Sequence, residues 1–180
     1  MERSPCPGPA PRAERRRLTH VDRTGRPRMV DVSAKPPTAR RAVAEAFVTM
    51  SPETLSLVID GRSAKGDVLS AAELAGVMGG KRTSDLIPLC HPLLVGSVLV
   101  NFRIEDDFIE VEAQVDTIDR TGVEMEAMTA CSIACLTIYD MCKSADRAMV
   151  ISELTLWEKT GGRSGTYRRT PEPGDDGLRL

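Results

Sequence analysis

Lys65, His91, Glu124, Glu126, Asp140 and Lys143 are the side chains of this sequence best suited to move protons beside an anionic substrate. His91 is one of two histidines and lies in Leu89-Cys90-His91-Pro92-Leu93. Pro92 holds the residue before it in extended backbone. Glu124, Glu126, Asp140 and Lys143 fall on one otherwise apolar run, where placing charge is expensive and therefore informative. Lys65 sits in Ala64-Lys65-Gly66-Asp67, between a helix end and a new N-cap. An amine becomes a useful acid or base when its surroundings tune it. The plain alternatives are a solvated loop lysine, a structural histidine and a solvated helix stripe.

Other chemistries lack their residues. Lys159-Thr-Gly-Gly-Arg163-Ser-Gly165 is glycine-rich with two cations, and such a loop can wrap phosphate with backbone N–H groups. P-loop spacing is absent: Gly76 to Gly80-Lys81 is one residue short, and Arg82 stands where Ser or Thr belongs. Two distant histidines and no C-x-x-C pair give no zinc set, so no metal site is expected. Aromatic residues are only 3%, which weakens any claim of base-stacking nucleic-acid recognition. The net charge of -2 means that any phosphate site must be a local cluster. No apolar run reaches membrane-spanning length, and the odd set of five cysteines suits free thiols in a reducing cytoplasm.

The elements that position these residues read as follows. Residues 1–17 are rich in Pro and Arg and are expected to be a disordered basic tail; residues 168–180 form a second tail. Residues 42–50 are strand-like. Ser51-Pro52 opens a helix to Ile59, ended by Asp60-Gly61. Ser70-Ala-Ala-Glu73 reads as a capping box ahead of a helix to about Lys81. Alternation at Val98–Ile104 and Ile109–Val115, joined by Glu105-Asp106-Asp107, predicts a hairpin whose wet face carries Glu110, Glu112 and Asp116, with no aromatic pair on the strands. Thr121-Gly-Val-Glu124 reads as a second capping box, opening the longest helix to about Lys143. Residues 149–157 return to strand. The order β-α-α-β-β-α-β, with the early helices taken as one crossover, predicts an α+β, ferredoxin-like domain over residues 18–167: an antiparallel sheet with helices on one face.

On a helical wheel at roughly 100° per residue, Glu126, Thr129, Ser132, Thr137, Asp140 and Lys143 share one arc of roughly 140°. The stripe is rich in Thr and Ser, with isolated acids in place of salt-bridge ladders. Glu126 and Asp140 are fourteen residues apart, roughly 21 Å along the axis. One small ligand does not reach both on one chain, so a shared role predicts a site built between subunits.

Several segments together resemble the cyclic pyranopterin monophosphate synthase family of molybdenum cofactor biosynthesis. They are Lys65-Gly-Asp67, Lys81-Arg-Thr83 with Asp85-Leu-Ile-Pro-Leu-Cys-His-Pro-Leu93, Thr121-Gly-Val-Glu-Met-Glu-Ala127, Thr137-Ile-Tyr-Asp-Met-Cys-Lys143 and Lys159–Gly165. Leu18-Thr-His20 and Met29–Ala34 also fit, so the likeness spans about residues 18–167.

The resemblance implies a cytoplasmic lyase of the phosphorus-oxygen type. Its substrate is (8S)-3′,8-cyclo-7,8-dihydroguanosine 5′-triphosphate, rearranged to cyclic pyranopterin monophosphate with loss of pyrophosphate. It implies a homohexamer, a trimer of dimers, with sites at subunit interfaces. It makes Asp140 the active-site acid and Lys65 and Lys143 the general acid and base. Leu89, Cys90, His91, Met125 and Glu126 match the substrate-binding segments, with Glu124 beside them, and Arg40 and Lys159 look like anion-contacting cations. No cofactor is required, and the sequence leaves open whether Mg²⁺ accompanies the triphosphate. The alternative from another class is a non-catalytic nucleotide- or pterin-binding module on the same fold, which needs anion contacts but no Lys-Asp-Lys set. RNA binding on the open sheet face fits poorly with its acidic residues.

Overall fold

The computed structural model describes residues 24–170. Residues 24–30 belong to a small N-terminal unit that ends at Val30, with a turn at Thr24-Gly25; the main unit begins at Asp31. The expected tail 1–17, the segment Leu18–His20 and residues 171–180 lie outside the described residues.

The main unit runs β1 (Thr38–Thr49), α1 (Pro52–Ile59), α2 (Val68–Lys81), α3 (Thr83–Leu86), β2 (Val95–Ile104), β3 (Phe108–Asp119), α4 (Glu124–Cys142), β4 (Val150–Thr160) and β5 (Tyr167–Arg168). The strands form one antiparallel sheet in the order β2-β3-β1-β4-β5. The four long strands have the ferredoxin-like arrangement, with the helices packed on one face. β5 is an addition: Tyr167 and Arg168 pair with Lys159 and Glu158, and Arg169 N donates to Trp157 O at 2.8 Å. Nothing in the sequence pattern marks it, because two residues are too few to show alternation.

Local chemistry sets the helix ends, not always where the capping patterns point. Ser51 caps α1 as expected, its Oγ accepting from Thr54 N at 3.3 Å. The Ser70–Glu73 box is not the start of α2. Asp67 is the cap; its carboxylate accepts from Ser70 N at 3.0 Å and from Ser70 Oγ at 2.6 Å. Thr121 does not cap α4 either: Val123 holds that position with no side-chain bond. Glu124 instead folds its carboxylate back over Gly122, where any Cβ would collide with it.

The core lies between the sheet and α4. Ala42, Ala44, Ala46 and Val48 of β1 and Ile109, Val111, Ala113 and Val115 of β3 face Ala127, Ala130, Cys131, Ala134, Cys135 and Ile138. Small side chains bring the helix close to the strands, and Cys131 Sγ donates to Val111 O at 3.3 Å. The hydrogen bond with the neighbouring Cys135 thiol, and then burial, push the Cys131 thiol upward, so the buried cysteines are packing residues. The glycines of α2 have a structural role as well. A Cβ at Gly79 would stand 2.8 Å from Ile133 Cγ1, and one at Gly76 2.9 Å from Val100 Cγ2. They let α2 lie directly against α4, and so explain the run that fails as a phosphate loop.

The opposite sheet face is polar but well paired. Arg103 meets Glu110 and Asn101 meets Glu112 at 3.1 Å, each directly across the β2–β3 ladder; Arg41 meets Asp116 at 2.7 Å across β1–β3. Such pairs help fix register. This face also corrects one expectation. Phe47 and Phe108 form an edge-to-face pair with centroids 5.5 Å apart. Phe47 is only 3% exposed, so the pair is packing and offers no stacking platform.

Candidate active site

Lys65, Asp140 and Lys143 come together at the C-terminal end of α4. Lys65 Nζ donates to Asp140 Oδ2 and to the Asp140 main-chain O, both at 2.7 Å. Lys143 Nζ reaches Asp140 Oδ1, also at 2.7 Å. Lys143 is the C-cap of α4, one turn after Asp140, so the i,i+3 geometry makes that contact local. Lys65 arrives from 75 residues away on a tight turn. Gly66 N bonds Ser63 O at 3.0 Å, and Gly66 has φ +94, a conformation that favours glycine. Asp67 then starts α2, so the lysine is fixed from both sides.

This cluster is open to solvent on one chain, and the Asp140 side chain is 55% exposed. The hydrogen bonds from Lys143 and Lys65 hold its carboxyl down to about 2. Asp140 is therefore ionised at neutral pH in this arrangement and anchors two cations. A cleft of about 190 Å³ adjoins it, lined by Arg62, Ser63 and Ala64 and by Met141, Cys142 and Ser144.

The remaining candidates gather at the other end of the helix. Glu126 is buried, at 4% exposure, and burial with the added charge of Glu124 raises its carboxyl to about 7. Its charge acts on Cys90, whose thiol is raised mainly by burial. Cys90 N bonds Ile87 O at 3.0 Å, closing the turn that carries Leu89 and leads into His91. Leu89 and Met125 are both partly exposed here, at 36% and 37%. Lys159 lies 4.0 Å from Glu124 and bonds Ser164. Arg40 donates to Asp119 O at 2.9 Å and to Arg120 O at 3.1 Å, and its guanidinium lies against Gly162. A pocket of about 480 Å³ opens beside it, lined by Lys35, Arg40, Arg120 and Arg163 with Thr121 and Ser164. Four cations line this one hollow, a local positive cluster on a chain of slightly negative net charge. Arg163 was visible in its glycine-rich loop. Lys35 and Arg120 were missed, because each sits in a turn where a lone cation carries no pattern.

The candidates thus form two clusters joined by α4, roughly 21 Å apart along the axis from Glu126 to Asp140. No group of three His, Cys, Asp or Glu suited to a metal occurs among the described residues. No helix among them is long and apolar enough to cross a membrane.

An α+β domain with a Lys-Asp-Lys cluster at one helix end and a cation-lined pocket at the other is the class that fold and site define. Residues 29–162 match the MoaC family model, and the chain belongs to that family. It is 57% identical over 154 residues to cyclic pyranopterin monophosphate synthase of Thermomicrobium roseum, covering 84% of this chain and 93% of the relative. It is 57% identical to cyclic pyranopterin monophosphate synthase 1 of Mycobacterium bovis, covering 85% and 91%. Identity to cyclic pyranopterin monophosphate synthase of Peptoclostridium acidaminophilum is 52%, covering 84% and 97%.

Proposed function

We propose that this protein converts (8S)-3′,8-cyclo-7,8-dihydroguanosine 5′-triphosphate to cyclic pyranopterin monophosphate with release of pyrophosphate, as a lyase of molybdenum cofactor biosynthesis. The observation that carries the reading is the Lys65–Asp140–Lys143 cluster in a chain of this family. A binding module needs the anion pocket alone; two amines fixed on one ionised carboxylate suit proton traffic. The rearrangement opens and re-forms C–N bonds, and each opening leaves a nitrogen that needs a proton. Closing the cyclic phosphate forms an O–P bond from a ribose-derived hydroxyl to the α-phosphorus. The P–O bond to the β-phosphate breaks, pyrophosphate leaves, and the hydroxyl proton passes to a base. Lys65, Asp140 and Lys143 serve the proton steps. Arg40, Lys159 and the pocket cations would neutralise the charge that builds on the phosphates. Leu89, Cys90, His91, Met125, Glu124 and Glu126 would form the walls for the base.

We further propose that each working site is shared between chains in a homohexamer arranged as a trimer of dimers. The support is the separation of the two clusters: the C-terminal end of one α4 needs the anion-binding end of another. In this reading the enzyme works in the cytoplasm without a resident cofactor, and Mg²⁺ enters with the triphosphate.

The deciding experiment incubates purified protein with the cyclised nucleotide. Stoichiometric pyrophosphate and the fluorescent oxidised pterin are expected. Tight binding of the nucleotide with neither product would overturn the reading in favour of a binding module.

A further inference from the structure

The helix layer carries large apolar side chains that nothing on the chain covers. On α4, Met125, Thr129, Ser132, Leu136, Asp140 and Lys143 follow one another at steps of three and four residues, which puts them on one narrow stripe. The stripe turns away from the sheet, against which Ala127, Cys131, Ala134 and Ile138 are packed. Its middle is apolar, and its C-terminal end is charged. Leu136 is 54% exposed, and α2 adds Leu74 at 63% and Met78 at 46%. Gly76 lies against Ala130 and Ala134, and Gly79 against Ile133, so this part of α2 is level with the middle of α4. The open sheet face differs, because its charged groups are paired across strands. An apolar zone of this kind, bounded by polar ends, marks a surface for a partner.

We propose that this stripe is where a second copy of the chain docks: α4 packs antiparallel on its twin about a two-fold axis near residue 134, with Leu136 of each chain seated on Ser132 of the other. The inference rests on the shared site proposed above and names the surface that builds it. Steps of three and four residues suit a shallow helix crossing, which keeps the two helices together along their length. Ser132 is small and leaves a hollow for the larger Leu136. Leu74 and Met78 flank the axis and lose their exposure in the same contact. The register follows from the numbering. An axis at residue 134 sets Lys143 of one chain level with Met125 of the other. Asp140 then falls level with residue 128, roughly 3 Å along the helix from Glu126. The amine cluster of one chain thus meets the substrate-wall end of the other, and because the contact is two-fold it completes two sites at once.

Cross-linking tests the register without using activity. Oxidation of the double variant Ser132→Cys/Leu136→Cys should link the chains into covalent dimers on a non-reducing gel. Wild type, with its native cysteines, should not link, and neither should Leu99→Cys on the open sheet face. Leu136→Glu would place two carboxylates beside the axis. It should break the assembly in sedimentation, keep the far-UV circular dichroism of wild type, and lower turnover by roughly 10²-fold or more as the two halves of each site part. The proposal is overturned if the double variant stays monomeric on oxidation, if Leu99→Cys links instead, or if Leu136→Glu leaves assembly and turnover unchanged. A wild type that sediments as a monomer, with this face free for another protein, overturns it as well. Product formation without the cross-link would strike this face and leave the proposed function standing. The cross-link without product would keep the face and remove the activity.

Discussion

The two ends of α4 treat the same functional group in opposite ways. At the C-terminal end Asp140 is exposed and paired with two ammonium groups, which hold its carboxyl near 2. At the N-terminal end Glu126 is buried beside a second acid and titrates near 7. Pairing favours the charged form and burial disfavours it, so one helix carries one carboxylate whose charge is fixed and another whose charge changes around neutrality. The fixed charge suits an anchor for amines that move protons. The changeable one suits a wall that accepts or donates a hydrogen bond to a purine-derived ring.

The largest effect that tests this contrast is on the paired end. Lys143→Ala should lower product formation by roughly 10²–10⁴-fold with the melting temperature nearly unchanged, read by pyrophosphate release and a thermal scan. Retained turnover would remove the C-terminal cluster from the chemistry. Arg40→Ala tests the anion end. It should raise KM by roughly 10–100-fold, the worth of charged hydrogen bonds to phosphate, with a smaller change in kcat. An equal fall in kcat with KM unmoved would place Arg40 in the reacting centre.

Gly79→Ala disturbs the helix that joins the ends. Its Cβ would meet Ile133 at 2.8 Å, so a loss of about 1–3 kcal/mol is expected in denaturant unfolding. No loss would mean that the α2–α4 seam is looser than its glycines require. The smallest effect is on pH dependence. Glu126 holds its proton to higher pH when folded than its usual 4.5, so its contribution to stability is full below about 4.5 and fades as pH rises through about 7. Glu126→Gln should flatten the melting temperature across that window. An unchanged slope would show that Glu126 is ionised throughout and that the two ends do not differ.

Much of this molecule was legible because its periodicities are strong. The β2–β3 hairpin and α1 fall where alternation and the Ser51-Pro52 signal place them, and the span of α4 follows from its apolar run. What failed was local. Ser70 and Glu73 form a good capping box on paper, but Asp67 comes first and takes the cap with both oxygens. β1 begins at Thr38 rather than at residue 42, because its first residues lie at the rim, where burial leaves no mark on the sequence. The Asp140–Lys143 pair was readable from i,i+3 spacing. The Lys65–Asp140 bond was not readable from spacing, since 75 residues and two helices lie between its partners; only the family likeness connected them. Lys35 and Arg120 were invisible for a related reason: folding alone brings these turn residues to one pocket.

The central claim is that each site takes its amines from one chain and its anion grip from another, and subunit complementation tests it most directly. Lys143→Ala and Arg40→Ala, each impaired alone, should be unfolded, mixed and refolded together. Random assembly then leaves about a quarter of shared sites with both halves intact, so close to a quarter of wild-type turnover should return with substrate well below the wild-type KM, where each variant alone is slow. A mixture no more active than the average of the two variants would contradict the account and put both halves of the site on one chain.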